Sequence, residues 1–178
     1  MRITGLLLTF TLCWTTLNAQ VINGYAQVTA IAGNVLTIGT TNETAATFTV
    51  GKDVVIMQMQ DNVIGTNTGN NASFGNLSAI QQAGRYAIRK IAAVTRSGGV
   101  LTSVTLNGAT GISFNTGANS SVQIITHELL GGGGNYTTVA NISALPWNGS
   151  VGGMVSFQVG GTLTLQHNIT ADGAGFRG

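Results

Sequence analysis

Apolar and polar residues alternate with a period of two along most of the chain, and no stretch sustains a helical period. The clearest run is Val155 to Gln166. Val155, Phe157, Val159, Leu163 and Leu165, followed by Ile169, fall on one side, and Ser156, Gln158, Thr162, Thr164 and Gln166 on the other. That pattern predicts a half-buried strand with a bend or bulge at Gly160-Gly161 and a turn at Asp172-Gly173. Upstream, Tyr25–Ile31 and Val35–Ile38 flank Ala32-Gly33-Asn34 as a hairpin, with Gly and Asn expected to supply positive φ. Tyr86–Thr95 and Val100–Leu106 flank Ser97-Gly98-Gly99 as a second hairpin.

Thr47–Val50, Val54–Gln60 and Val122–Thr126 are further predicted strands. In Val54–Gln60 the set Val54, Ile56, Gln58 faces opposite to Val55, Met57, Met59, and both sets are largely apolar, which predicts a central strand. Asn62–Asn76 reads as a long polar loop, a tolerated insertion before it is a contact surface, and Ser78–Gln82 as one helical turn. The fold class expected is all-β: a sandwich or barrel-like part over residues 20–145, then the first rung of a β-helix or solenoid-like, glycine-rich stalk over residues 146–178, with the chain running on beyond it.

The first nineteen residues change the picture of where the chain acts. Met1-Arg2 is a basic start, Ile3–Leu17 is apolar and Thr-rich, and Asn18-Ala19 precedes Gln20 as a small-residue cleavage site, so residues 1–19 read as a secretory signal peptide. About fifteen apolar residues are too few for a membrane span, which needs roughly 20, and no transmembrane segment is expected in the mature chain. Cys13 is the only cysteine and lies in this leader, so the mature chain has no disulfide and no thiol nucleophile.

Charges are sparse. Lys52, Arg85, Arg89, Lys90, Arg96 and Arg177 oppose Glu43, Asp53, Asp61, Glu128 and Asp172 in the mature chain. Nucleic-acid binding needs a dense basic patch that these scattered cations cannot form. Arg85, Arg89, Lys90 and Arg96 are read as a solvated or edge-protecting strand face.

Candidate chemistry is thin. His127 and Glu128 are neighbours on a strand and point to opposite faces, and His167 has no acidic partner at ligand spacing, so both histidines are read as surface residues. Gly131–Gly134 lacks the Lys of a P-loop and reads as a wide turn. No catalytic, cofactor or metal site is expected. Trp147, Tyr136 and Tyr25 are candidate glycan contacts, a role that requires them to share one exposed face, whereas a structural role predicts that they are mostly buried.

Gly51-Lys52-Asp53-Val54-Val55-Ile56-Met57-Gln58-Met59-Gln60, Gly84-Arg85-Tyr86, Val122-Gln123-Ile124-Ile125, Trp147-Asn148-Gly149 with Gly152-Gly153, and Gly173-Ala174-Gly175-Phe176-Arg177-Gly178 together cover nearly the whole mature chain. In these segments it resembles the N-terminal module of large secreted cell-surface, adhesin-like proteins of Bacteroidetes and gliding myxobacteria. Lys52 departs from the pattern, standing between the Gly and the Asp. The resemblance implies a secreted, surface-associated, non-enzymatic module, commonly exported by type IX secretion, with surface glycans or other cell-surface proteins as partners. It implies structural roles for Trp147, Gly149, Gly152, Gly153, Gly175, Phe176 and Arg177, with Phe176 stacking on a rung and Arg177 bonding carbonyls at a corner. The alternatives are a carbohydrate-binding module and the N-terminal cap of a β-helical polysaccharide-degrading enzyme.

Overall fold

The computed structural model describes residues 19–61 and 81–175. The chain is all-β over these residues. Six antiparallel strands, β1 (Tyr25–Ala32), β2 (Val35–Asn42), β3 (Asp53–Gln60), β4 (Tyr86–Ser97), β5 (Val100–Leu106) and β6 (Ser121–Thr126), close into a barrel in the order β1-β2-β5-β4-β3-β6. Of the two all-β architectures expected, the barrel is the one formed, and closure leaves none of the six strands at an edge. Register shifts in β1 against β2 and in β4 against β5 supply the bulges that bend strands round a small barrel.

Both expected hairpins are present. The first turns on Gly33 at φ 63°, and Asn34 needs no positive φ. The second turns on Gly98 and Gly99 at φ 56° and 85°. β3 is central, paired with β4 and β6, as its two apolar faces require. Its inward set, Val54, Ile56 and Gln58, is fully buried with Ala26, Leu36, Ile91, Val104, Leu106 and Ile124.

One expected strand is absent between β2 and β3. Thr47–Val50 is not a strand: the β2–β3 connection crosses the barrel with Phe48 fully buried in the core. Glu43 holds that crossing. Its carboxylate accepts from the Phe48 N–H at 2.8 Å and takes both Arg96 guanidinium nitrogens at 2.7 Å. The Arg96 hydrogen bond keeps the Glu43 carboxyl below its ordinary range, against the opposing pull of burial. Of the two readings of the basic residues the solvated face stands, with Arg85, Lys90 and Arg96 exposed, and closure leaves β4 no edge to guard. Arg89 donates to the carbonyls of Ile88, Ala109 and Thr110, and Lys90 pairs with Asp53 at 2.9 Å. The Asn62–Asn76 loop lies outside the described residues, as does most of Ser78–Gln82.

One end of the barrel is closed by polar groups. The Gln58 amide donates to the carbonyls of Gln60 and Asn115 and accepts from the Asn115 N–H. Asp61, 1% exposed, accepts from the Gln82 N–H, the Asn115 amide and the Ser120 hydroxyl at 2.8–2.9 Å. Burial alone would raise the Asp61 pKa, but these three donors together outweigh it and the pKa is lowered. A carboxyl lowered by folding stabilises fully above its unfolded pKa, and the contribution is lost as pH falls through the folded value. Urea unfolding is therefore expected to show stability flat above about pH 5 and falling below about pH 4. Asp61→Asn should flatten part of that acid limb and cost about 2–3 kcal/mol at pH 7.

Beyond the barrel the pairing changes from antiparallel to parallel at His127. β7 (Glu128–Leu130), β8 (Tyr136–Thr137) and β9 (Ile142–Ser143) pair in parallel with β10 (Phe157–Val159), β11 (Leu163–Thr164) and β12 (Ile169–Thr170). A one-turn 3-10 segment, Gly131–Gly133, joins β7 to the next strand with φ of 61–87°, the wide turn expected of the glycine run. The alternating run from Val155 is thus not one strand. It is β10 and β11, in separate ladders, with a corner at Gly160-Gly161. The turn at Asp172-Gly173 is present, with Gly173 at φ 64° and the Ala174 N–H bonded to the Ala171 carbonyl.

Candidate functional site

The outer wall of the barrel carries a second apolar cluster, Tyr25, Ile125 and Val151 with Val21, Leu145 and Met154. It lies where β1 and β6 meet the strap of residues 144–156 that links the two tiers of parallel strands. The wall is apolar here because Tyr25 and Ile125 sit opposite each other in the β1–β6 ladder.

Three polar side chains fix the strap. The Asn23 amide donates to the carbonyls of Thr126 (2.7 Å) and Ser156 (2.6 Å) and accepts from the Ser156 N–H at 3.1 Å. Gln123 donates to the Gly152 carbonyl at 2.8 Å and accepts from the Gly152 N–H at 2.9 Å. The Tyr25 hydroxyl donates to the Met154 carbonyl at 2.6 Å and accepts from the Leu145 N–H at 3.3 Å. Asn23 and Gln123 each present one donor and one acceptor to one residue's backbone, as a neighbouring strand would. Burial pushes the Tyr25 phenol up, and the Leu145 bond offsets part of the rise.

This geometry accounts for one glycan candidate. Tyr25 is 0% exposed with its hydroxyl engaged on both sides, so it cannot share an exposed face with Tyr136 and Trp147, which are half-buried. Trp147 sits where the motif glycines converge. Its N–H donates to the Ala174 carbonyl, and Asn148 closes the following turn over Gly149 by accepting from the N–H groups of Ser150 and Val151. Gly153 packs on Ala174 and Gly175, where a Cβ would lie 3.2 Å from the Ala174 oxygen. Phe176 and Arg177 lie outside the described residues.

The charged candidates are engaged in holding elements together. Glu128 takes Lys52 at 3.0 and 3.1 Å, tying β7 to the barrel. His127 does not stand free at the surface: its Nδ1 lies 2.8 Å from the hydroxyl of Ser156, a buried residue. That pairing invites a nucleophile reading. However, the Ser156 backbone is itself clamped by Asn23, and the adjacent Glu128 faces Lys52 instead of the imidazole. The N–H of His167, in the second tier, donates to the Thr138 hydroxyl of the first. Among the described residues no three His, Cys, Asp or Glu side chains gather to hold a metal, and no helix is long and apolar enough to cross a membrane.

What the sequence reading missed is an internal repeat. Gly133-Gly134-Asn135-Tyr136-Thr137-Thr138-Val139-Ala140-Asn141-Ile142-Ser143-Ala144 lies against Gly160-Gly161-Thr162-Leu163-Thr164-Leu165-Gln166-His167-Asn168-Ile169-Thr170-Ala171 at a separation of 27 residues. The first copy's side chains cap backbone of the second. Asn135 accepts from the Thr162 N–H at 2.8 Å and Asn141 from the Asn168 N–H at 3.0 Å, while the Thr138 hydroxyl accepts from Gln166 and His167. On the other side of β9, the Gln20 N–H donates to the Asn141 carbonyl and the Ser143 N–H to the Gln20 carbonyl. A comparison of the sequence with itself at fixed separations would have found the Gly-Gly, Asn-Ile and Ala matches.

Protein-family models, curated proteins and solved structures contain no match to this chain.

Proposed function

We propose that the chain is a non-enzymatic, adhesin-like or structural module of a secreted, surface-associated protein, in which the barrel seats the first coils of a β-solenoid. The observation that carries this reading is the parallel register of one stretch on another at 27 residues, repeated in β8–β11 and β9–β12, because stacked repeats that contact only their neighbours are how solenoids are built. The clamp of Asn23, Tyr25 and Gln123 supports it by spending buried polar groups on fixing the strap to the barrel wall. The basic start, apolar stretch and Ala19 before Gln20 support export.

The test is expression of residues 1–178 with the leader in a diderm bacterium, followed by fractionation and N-terminal sequencing. A product beginning at Gln20 outside the cytoplasm is expected, and an uncleaved cytoplasmic product would refute secretion. Incubation of the purified protein with a polysaccharide panel is expected to release no new sugar ends. Release would establish an enzyme, and glycan-array binding abolished by Trp147→Ala would establish a carbohydrate-binding module instead.

A further inference from the structure

The second coil repeats the chemistry of the first but lacks its cover. Thr138 is 0% exposed, and Leu165, 27 residues on, is 61% exposed. Ile142 and Ala144 are 2% and 3% exposed, whereas Ile169 is half-exposed and Ala171 exposed. A groove of about 470 Å³ follows Leu165 to Asp172. β11 and β12 are each paired on one side only among the described residues.

The coil-one amides of Tyr136, Thr138, Ile142 and Ala144 donate to carbonyls of Thr162, Thr164, Asn168 and Thr170. The alternation of a parallel ladder then directs the N–H and C=O of Leu163 and Ile169 to the other side. Asn168 stands there as the repeat of Asn141, whose carboxamide caps the next coil's backbone.

We infer that this edge takes a third coil of the same 27-residue pattern, joined in cis, in parallel and in register, continuing the interface between the first two. The inference rests on the solenoid reading above. Asn168 caps the incoming N–H 27 residues on, as Asn141 caps Asn168. The hydroxyl cap does not recur, because Leu165 replaces Thr138, so the third coil meets an apolar contact at that corner.

Repeating residues 149–175 directly after Gly175 keeps the spacing and tests the inference by amide hydrogen exchange against the parent chain. Exchange at Leu163 and Ile169 is expected to slow at least about tenfold, and Asn168→Ala in the extended chain to return several-fold of that, while the Ile142 and Ala144 amides keep the rates they have in the parent. Unaltered exchange at Leu163 and Ile169, with those parent amides still protected, overturns the inference alone. Unprotected Tyr136, Thr138, Ile142 and Ala144 amides in the parent overturn the solenoid reading and the inference with it. Concentration-dependent protection of Leu163 and Ile169 in the unextended chain would make a second copy the occupant and also overturn it.

Discussion

Gly152→Ala is expected to release the strap from the barrel. Gly152 has φ 116°, outside the range a side chain adopts without strain, and a Cβ there would lie 2.6 Å from the Pro146 oxygen and 2.7 Å from the Leu145 oxygen. Both are backbone atoms that no rotamer change can move. The same residue receives the Gln123 clamp through its N–H and its carbonyl, so relieving the clash by shifting the strap breaks both bonds. Backbone strain and overpacking of this kind together cost about 3–5 kcal/mol, a large fraction of the stability of an ordinary domain. In the chain beginning at Gln20, Trp147 is the sole tryptophan and lies in the strap, so its fluorescence reports the event directly. A red-shifted emission and a lowered urea midpoint are expected. Gly149→Ala is the control: φ is 98° there with nothing within 4 Å of the added Cβ, so it carries the conformational cost without the clash. Equal losses in the two variants would show that the close approach at Gly152 contributes nothing.

Gly160→Ala should act locally. Its Cβ would meet the Gly133 oxygen and carbonyl carbon of the first repeat, and its φ lies outside the left-handed range, so the effect is steric alone. The corner of the second repeat must lift. The barrel core makes no use of that corner, so the cost falls on opening of the β8–β11 and β9–β12 ladders before it reaches global unfolding. Overpacking of about 3 kcal/mol corresponds to roughly 100-fold faster exchange at Tyr136, Thr138 and Ile142, while Ile56 and Ile124 in the barrel keep their rates. Uniform acceleration across the chain would mean instead that the parallel ladders and the barrel unfold as one unit.

The hairpins were legible because a period of two and glycine turns are local signals, and β3 because a strand apolar on both faces must be paired on both sides. Barrel was not separable from sandwich, since closure depends on β1 meeting β6, a pairing no local pattern encodes. Thr47–Val50 was misread because Phe48 is apolar for a reason other than a strand face: it plugs the core from a crossing loop. Val155–Gln166 was misread because period two survives a corner when glycines occupy it, and the break shows only in the separate ladders of β10 and β11, with Gly160 close on Gly133. Tyr25 looked available to a ligand, but its environment is made by Leu145 and Met154, far along the chain. The clamp residues Asn23 and Gln123 carry no sequence signal, because an amide that mimics a strand is recognised only once its partner backbone is beside it.

The contact between Gln20 and Ile142, like that between Asn23 and Ser156 at a separation of 133 residues, sets a kinetic order on the molecule. Pairings so distant in sequence pay their loop-closure entropy before they gain anything, and chains rich in them fold slowly. The barrel strands must be in place before Asn23 has a wall to stand on, and Gln20 cannot lie against β9 until that strand is laid. Folding is therefore expected to run outward from the barrel, with Gln20 and Asn23 among the last residues to settle.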